Sequence, residues 1–149
     1  MKAENEALIR FPALSCNEAF ARSAAAAFTA QMDPTLEELG DIRTAVSEAV
    51  TNVIVHAYPD RIGEVTLRLR RLEGNILEIT VRDTGCGIAD VALASQPMYT
   101  TGGAERSGMG IPIMESFMHT LQIRSRPGKG TTVRMRKRIS RRGEPACKP

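Results

Sequence analysis

The sequence predicts one α+β domain, a two-layer sandwich in which helices cover one face of a mixed, mostly antiparallel sheet. Two runs of strict alternation stand back to back. Val65, Leu67 and Leu69 alternate with Thr66, Arg68 and Arg70, and after Glu73-Gly74-Asn75 the residues Leu77, Ile79 and Val81 alternate with Glu78, Thr80 and Arg82. Period-two patterning of this kind marks an antiparallel hairpin with one buried and one wet face. Upstream, Val46, Ala49, Val50 and Val53 recur at three- and four-residue steps, the signature of a helix with one apolar face. Downstream, the short runs Leu121–Arg124 and Thr131–Arg136 flank Pro127-Gly128-Lys129-Gly130, a second hairpin. Helices grouped beside hairpins imply the layered α+β architecture.

Taken in order, residues 7–14 carry Leu8, Ile9, Phe11 and Leu14 and predict a first strand, which Pro12 places at a sheet edge. Asn17 is positioned to cap an alanine-rich helix to about Ala30, packing through Phe20, Ala24 and Phe28. Asp33-Pro34 reads as the next helix start, a capping carboxylate followed by a proline whose missing N–H costs nothing there. That helix runs through Leu36, Leu39, Ile42 and Val46 and stops before Pro59. From Ala89 to Gly110 the pattern dissolves into small and polar residues, predicting loop, and Ile111–Met118 predicts a short helix. No repeat or linker divides the chain, so residues 1–138 form one domain. Residues 139–149, which follow a crowd of basic residues and end in G-E-P-A-C-K-P, are expected to be a basic, disordered tail.

Composition narrows the class. At 149 residues, 42% apolar and 25% charged, the chain can build one full-sized soluble core. No apolar run is long enough to span a bilayer, and acidic residues interrupt the N-terminal stretch where a signal peptide would need its apolar centre. Cys16, Cys86 and Cys147 are odd in number and widely spaced, which argues against a disulfide framework or a zinc site and for a cytoplasmic location. Net charge is only +3, yet arginines stud the polar face of the hairpins. A nucleic-acid surface would interleave aromatic residues with them, but aromatics make up 4% of the chain and tryptophan is absent, so a solvated or partner-facing sheet is the better account.

Four stretches can carry chemistry. Glu48, Asn52 and His56 fall at i, i+4 and i+8 on the margin of the apolar helix face, where they form either a solvated edge or one wall of a pocket. Asp83-Thr84-Gly85-Cys86-Gly87 follows a strand, placing a carboxylate at the strand end and glycines that let the backbone bend or approach a flat ligand, although a plain turn needs the same residue types. Ser107-Gly108-Met109-Gly110-Ile111 opens the short helix, where free N–H groups can bind an anion or simply form a turn. It is neither a P-loop nor a Rossmann fingerprint. Gly128-Lys129-Gly130-Thr131 reads first as a hairpin turn. His56 and His119 lack a paired metal-ligand spacing, and Cys86 reads as a small turn residue.

The order of these stretches resembles the N-box and three glycine boxes of the GHKL ATPase and kinase superfamily, across nearly the whole chain. The text V-S-E-A-V-T-N with H-A-Y, and T-T-G-G-A-E-R-S-G-M-G-I-P-I-M-E-S-F-M, is similar to the bacterial anti-sigma serine kinases, and to their sporulation branch above the general-stress branch. The resemblance implies a GHKL (Bergerat) fold binding ATP or ADP with Mg²⁺. By it, Asn52 would ligate Mg²⁺, Glu48 would act as general base, and Asp83 would bind the adenine amino group. Gly85 and Gly87 would line the base, with Thr131 nearby. Residues 95–107 would form a lid in which Gly102-Gly103 add freedom. Arg106 would reach a phosphate or the protein partner, and Ser107, Gly108, Met109 and Gly110 would cradle phosphate. The implied partners are a sigma factor of the sigma F type and a small antagonist protein phosphorylated on serine, the kinase itself being a homodimer. A sensor kinase's ATP-binding module is the alternative, but it would need an acceptor histidine, and no histidine precedes Arg43.

Overall fold

The computed structural model describes residues 1–88 and 110–140. Among these, strands β1 (Ala3–Pro12), β2 (Glu64–Leu72), β3 (Ile76–Asp83), β4 (Thr120–Arg126) and β5 (Gly130–Arg138) form one sheet in the order β1-β2-β3-β5-β4. The predicted mixed sheet is corrected in one respect: every pairing among the described strands is antiparallel. Helices α1 (Asn17–Ala30), α2 (Leu36–Asn52) and α3 (Gly110–Phe117) pack on one face, α2 touching both of the others.

The alternating residues do what their period requires. Val65, Leu67, Leu69, Leu77, Ile79 and Val81 are all buried under the helices, with Val46, Ala49 and Val50 of α2 packed among them. Each such aliphatic side chain contributes roughly 1.5–3 kcal/mol by leaving water, so this single layer holds the sandwich together. The β2–β3 hairpin turns through Glu73, Gly74 and Asn75 between the paired residues Leu72 and Ile76, the last two loop residues at positive φ. Pro12 lies at the end of edge strand β1, as its missing N–H demands.

Helix boundaries depart from expectation in instructive ways. Asn17 is the first residue of α1 rather than its cap, and its side-chain amide donates to the Pro12 carbonyl at 2.9 Å. The buried face of α1 is Ala21, Ala25 and Phe28, whereas Phe20 is 51% exposed and meets Phe11 edge-on, ring centroids 6.1 Å apart. Asp33 does not cap α2 but takes φ 54° in the connection. The cap is Thr35, whose hydroxyl accepts from the Glu38 N–H at 3.0 Å while Glu38 accepts from the Thr35 N–H at 2.8 Å, a reciprocal capping box. Beyond Asn52 the helix widens into a π-helical turn, Val53–Ala57.

The C-terminal boundary also shifts. Ile139 is 1% exposed within the core cluster, and its N–H donates to the Asn75 carbonyl at 2.9 Å. Ser140 donates from its N–H and its hydroxyl to the Glu38 carboxylate. These two residues therefore belong to the domain, and the rest of the expected tail lies outside the described residues.

On the open face, register aligns side chains in cross-strand rows: Glu6–Arg70–Glu78–Arg136–Thr120, then Leu8–Arg68–Thr80–Arg134–Gln122, then Arg10–Thr66–Arg82–Thr132–Arg124. This face is less wet than its composition predicts. Glu78 is 0% exposed, covered by the guanidinium groups that surround it.

Candidate functional site

Asp83 ends β3, flanked in register by Val65 of β2 and Thr131 of β5. It is 6% exposed, and its Oδ1 accepts from the Gly85 N–H at 2.9 Å. Burial pushes its pKa above the ordinary aspartate value, and hydrogen bonds from the Gly85 and Thr131 N–H groups only partly oppose this. A carboxyl group held by backbone donors at a strand end is a fixed acceptor, suited to reading an amino group.

The turn that follows is tied down on both sides. The Thr84 N–H donates to the Tyr58 hydroxyl at 2.9 Å, and that hydroxyl donates onward to the Glu64 carbonyl at 2.6 Å. The Cys86 N–H donates to the Ala57 carbonyl at 2.8 Å, and the Gly128 N–H donates to the Cys86 carbonyl at 2.7 Å. The Ile88 N–H donates to Ser125 Oγ at 2.7 Å, and Ser125 Oγ lies 2.9 Å from Thr131 Oγ1. Thus the end of the long helix, the aspartate turn and the β4–β5 hairpin meet at one place. Close approach explains the glycines. A Cβ at Gly85 would overlap the Ala57 carbonyl, and Gly87, at φ +76°, would place one against the Arg126 carbonyl. Both glycines are thus required by protein backbone, apart from any ligand they face.

Glu48 and Asn52 stand one turn apart on α2, both half-buried, leading into this junction. His56 falls in the π-helical turn, which breaks the i+4 rhythm, so the strip expected from spacing ends at Asn52. His119 serves the fold, since its Nδ1 accepts from the Arg138 N–H at 2.9 Å. Gly110 begins α3 and Thr131 borders Asp83. Arg106, Ser107, Gly108, Met109 and the expected lid lie outside the described residues.

Sequence reasoning missed Tyr58 and Ser125, which fasten the turn from opposite sides. Tyr58 was legible only as the end of the H-A-Y text before Pro59, and Ser125 only as a small polar residue facing inward at a strand end. Neither pattern announces a hydroxyl that bridges two backbone segments.

Among the described residues no group of three or more His, Cys, Asp or Glu could cage a metal ion. The donors present, one amide on α2 and one buried carboxylate at a strand end, fit a nucleotide that brings its own hard cation. Mg²⁺ takes few protein ligands and completes its shell with water and phosphate oxygens.

Comparisons with known proteins bear on the fold and the family. Residues 11–137 match the histidine kinase-like ATPase domain. The chain is 52% identical over 142 residues to an anti-sigma F factor of Caldanaerobacter subterraneus, covering 95% of this chain and 99% of that one. It is 49% identical over 140 residues to the anti-sigma F factor of Bacillus subtilis, covering 93% and 95%. Among solved structures, the RsbU and RsbW domains of a Mycobacterium tuberculosis protein superpose with a TM-score of 0.69 at 19% identity, over 93% of this chain and 33% of that one, a likeness of fold. The histidine kinase domain of a blue-light activated kinase of Erythrobacter litoralis superposes with a TM-score of 0.56 at 30% identity, over 69% and 45%.

Proposed function

The chain belongs to the histidine kinase-like ATPase domain family and, within it, to the anti-sigma F factors, and from that premise we propose that it is an ATP-dependent serine kinase that also sequesters its sigma factor. The partners in this reading are a sigma factor of the sigma F type and a small antagonist protein, which the kinase phosphorylates on serine while working as a homodimer. The observation that carries the reading is the buried Asp83 at the junction of three segments, two of them glycine-bearing turns.

The assigned roles follow the chemistry of the side chains. Asp83 would accept from the adenine amino group, with Gly85, Gly87 and Thr131 beside the base. Asn52 would ligate Mg²⁺, and the Gly110 N–H at the start of α3, with Arg106, Ser107, Gly108 and Met109 before it, would face phosphate. When bound, ATP with Mg²⁺ supplies the phosphoryl group to be transferred. Glu48, one turn before Asn52, would take the proton from the serine hydroxyl of the antagonist. Phosphoryl transfer asks for positioning and charge stabilisation more than covalent catalysis, so one base, one amide and a set of N–H donors suffice.

Incubation with Mg-ATP and a candidate antagonist, followed by mass measurement of both proteins, tests this. The antagonist is expected to gain one phosphoryl group and the kinase none. An unmodified antagonist, in the presence of demonstrated nucleotide binding, would refute the kinase assignment and leave sigma-factor sequestration to be measured separately.

A further inference from the structure

Lys137 stands on β5 in register with Leu77 of β3, on the side of the sheet that the helices cover. It is 8% exposed, and the nucleotide reading gives it no part. Lysine is almost never buried this far unless its ammonium group is paired. Here the partners lie on two different helices. Its Nζ donates to the Phe117 carbonyl at 2.8 Å and lies 3.2 Å from Asp41 Oδ2. Phe117 is the last residue of α3, and Asp41 falls in the second turn of α2. One side chain therefore pins the end of one helix to the beginning of the other. The carbonyl it takes is among those a helix leaves unpaired at its C-terminus, where a cation is favoured.

Apolar burial holds α3 on the core through Ile111 and Met114, and α3 packs against α2. Such contact is non-directional, so it fixes the depth of α3 more firmly than its position along α2. A hydrogen bond and an ion pair do fix that position, because they weaken steeply with distance and angle. Stability alone does not account for the pair, since apolar side chains of similar volume often replace a buried ion pair at no cost. The pin also lies far from the groups assigned to the phosphates. Asn52 closes α2 about 16 Å beyond Asp41, and Gly110 opens α3 about 10 Å before Phe117, at 1.5 Å of rise per residue. An effect of the pin on either group passes through the helices as whole units.

We propose that Lys137, braced by Asp41, is a positioning residue for the phosphate end of the nucleotide site. It sets the lengthwise register of α3 against α2, and with it the placement of the Gly110 N–H relative to Asn52. The inference rests on the nucleotide reading above, which gives those two groups to the phosphates, and adds a selectivity to it. Asp83 and Thr131 are held in the sheet by ladder pairing, at the opposite end of β3 and β5 from Lys137. The adenine end is therefore independent of the pin. Loss of Lys137 is felt by the phosphates and not by the base.

The probes are Mg-ADP, titrated calorimetrically into the full chain, and adenosine, whose affinity is read from its competition with Mg-ADP. All titrations are made below the melting transition of each variant. Lys137→Met keeps the stem and removes both polar contacts. It is expected to weaken Mg-ADP binding about tenfold while adenosine affinity stays within about twofold. Asp41→Asn, which leaves the Phe117 contact in place, is expected to act in the same direction by about threefold. A lowered melting temperature with Mg-ADP affinity unchanged would make Lys137 a merely structural residue and overturn the proposal. So would equal losses for Mg-ADP and adenosine, which mark general loosening of the site. If the unaltered chain binds no Mg-ADP, the nucleotide reading fails and takes the pin with it. If the unaltered chain binds and the variants bind as well, the pin alone fails. Should Lys137→Met not fold, Asp41→Asn is judged by the same criteria.

Discussion

Asp83 is asked to be both buried and charged, and its surroundings show how that is managed. Two backbone N–H groups compensate for part of the water it gave up. Asp83→Asn keeps the shape but replaces an acceptor with a donor, so ADP affinity measured by calorimetry should fall by about tenfold or more, on the order of 1.4 kcal/mol. Because its pKa is raised, nucleotide affinity should begin to decline on acidification at a higher pH than an ordinary aspartate would dictate. Glu48→Gln should behave oppositely, leaving ADP affinity within about twofold while lowering phosphoryl transfer by roughly 10²–10⁴, the contribution of a general base. Unchanged transfer by this variant would exclude the base assignment. Of these residues, the positions of the acid at the strand end and of the Glu–Asn pair on one helix margin were legible from spacing, whereas the roles given to them rest on the family resemblance. The hydroxyls of Tyr58 and Ser125 were not, because a side chain that bonds to backbone across 26 or 37 residues leaves no periodic trace.

At the scale of elements, the apolar periodicities read the strands and α2 well, since a buried face must repeat with its element's own pitch. Helix starts were read less well. Asp33 resembles a cap, yet Thr35 has the glutamate three residues on that closes the box, and the reciprocal pair wins over a lone carboxylate. Thr35→Ala should cost about 1 kcal/mol, visible as a lower midpoint in urea without a change in slope. The π-helical turn was not legible, because one extra residue in a helical turn alters no composition. Its carbonyl at Ala57 leaves no room for a side chain at Gly85. Gly85→Ala should therefore destabilise the domain by about 1–3 kcal/mol or push the aspartate turn aside, and thermal melting with and without ADP distinguishes the two.

For the whole molecule, the open sheet face couples stability to pH. The Glu78 pKa is lowered on folding, so its contribution is present above the unfolded-state value near 4.5 and is lost as pH falls through the lower folded-state value. The raised Asp83 works with the opposite sign, its contribution fading as pH rises through the folded value. Glu78→Gln should cost about 2 kcal/mol at neutral pH, moderated because its arginines are partly exposed, and should flatten the acid limb of the stability curve recorded by circular dichroism. The sheet's polar alternation was evident in the sequence, but the burial of one glutamate beneath four arginines was not, because it depends on which strands become neighbours. The stitch from Gly128 to Cys86 bears on how the protein is made. A nascent chain emerging from the ribosome holds helix, aspartate and turn long before Ser125, Gly128 and Thr131 appear. The aspartate turn therefore gains its last supports only near the end of translation, and ribosome-tethered chains ending before β5 should bind no nucleotide.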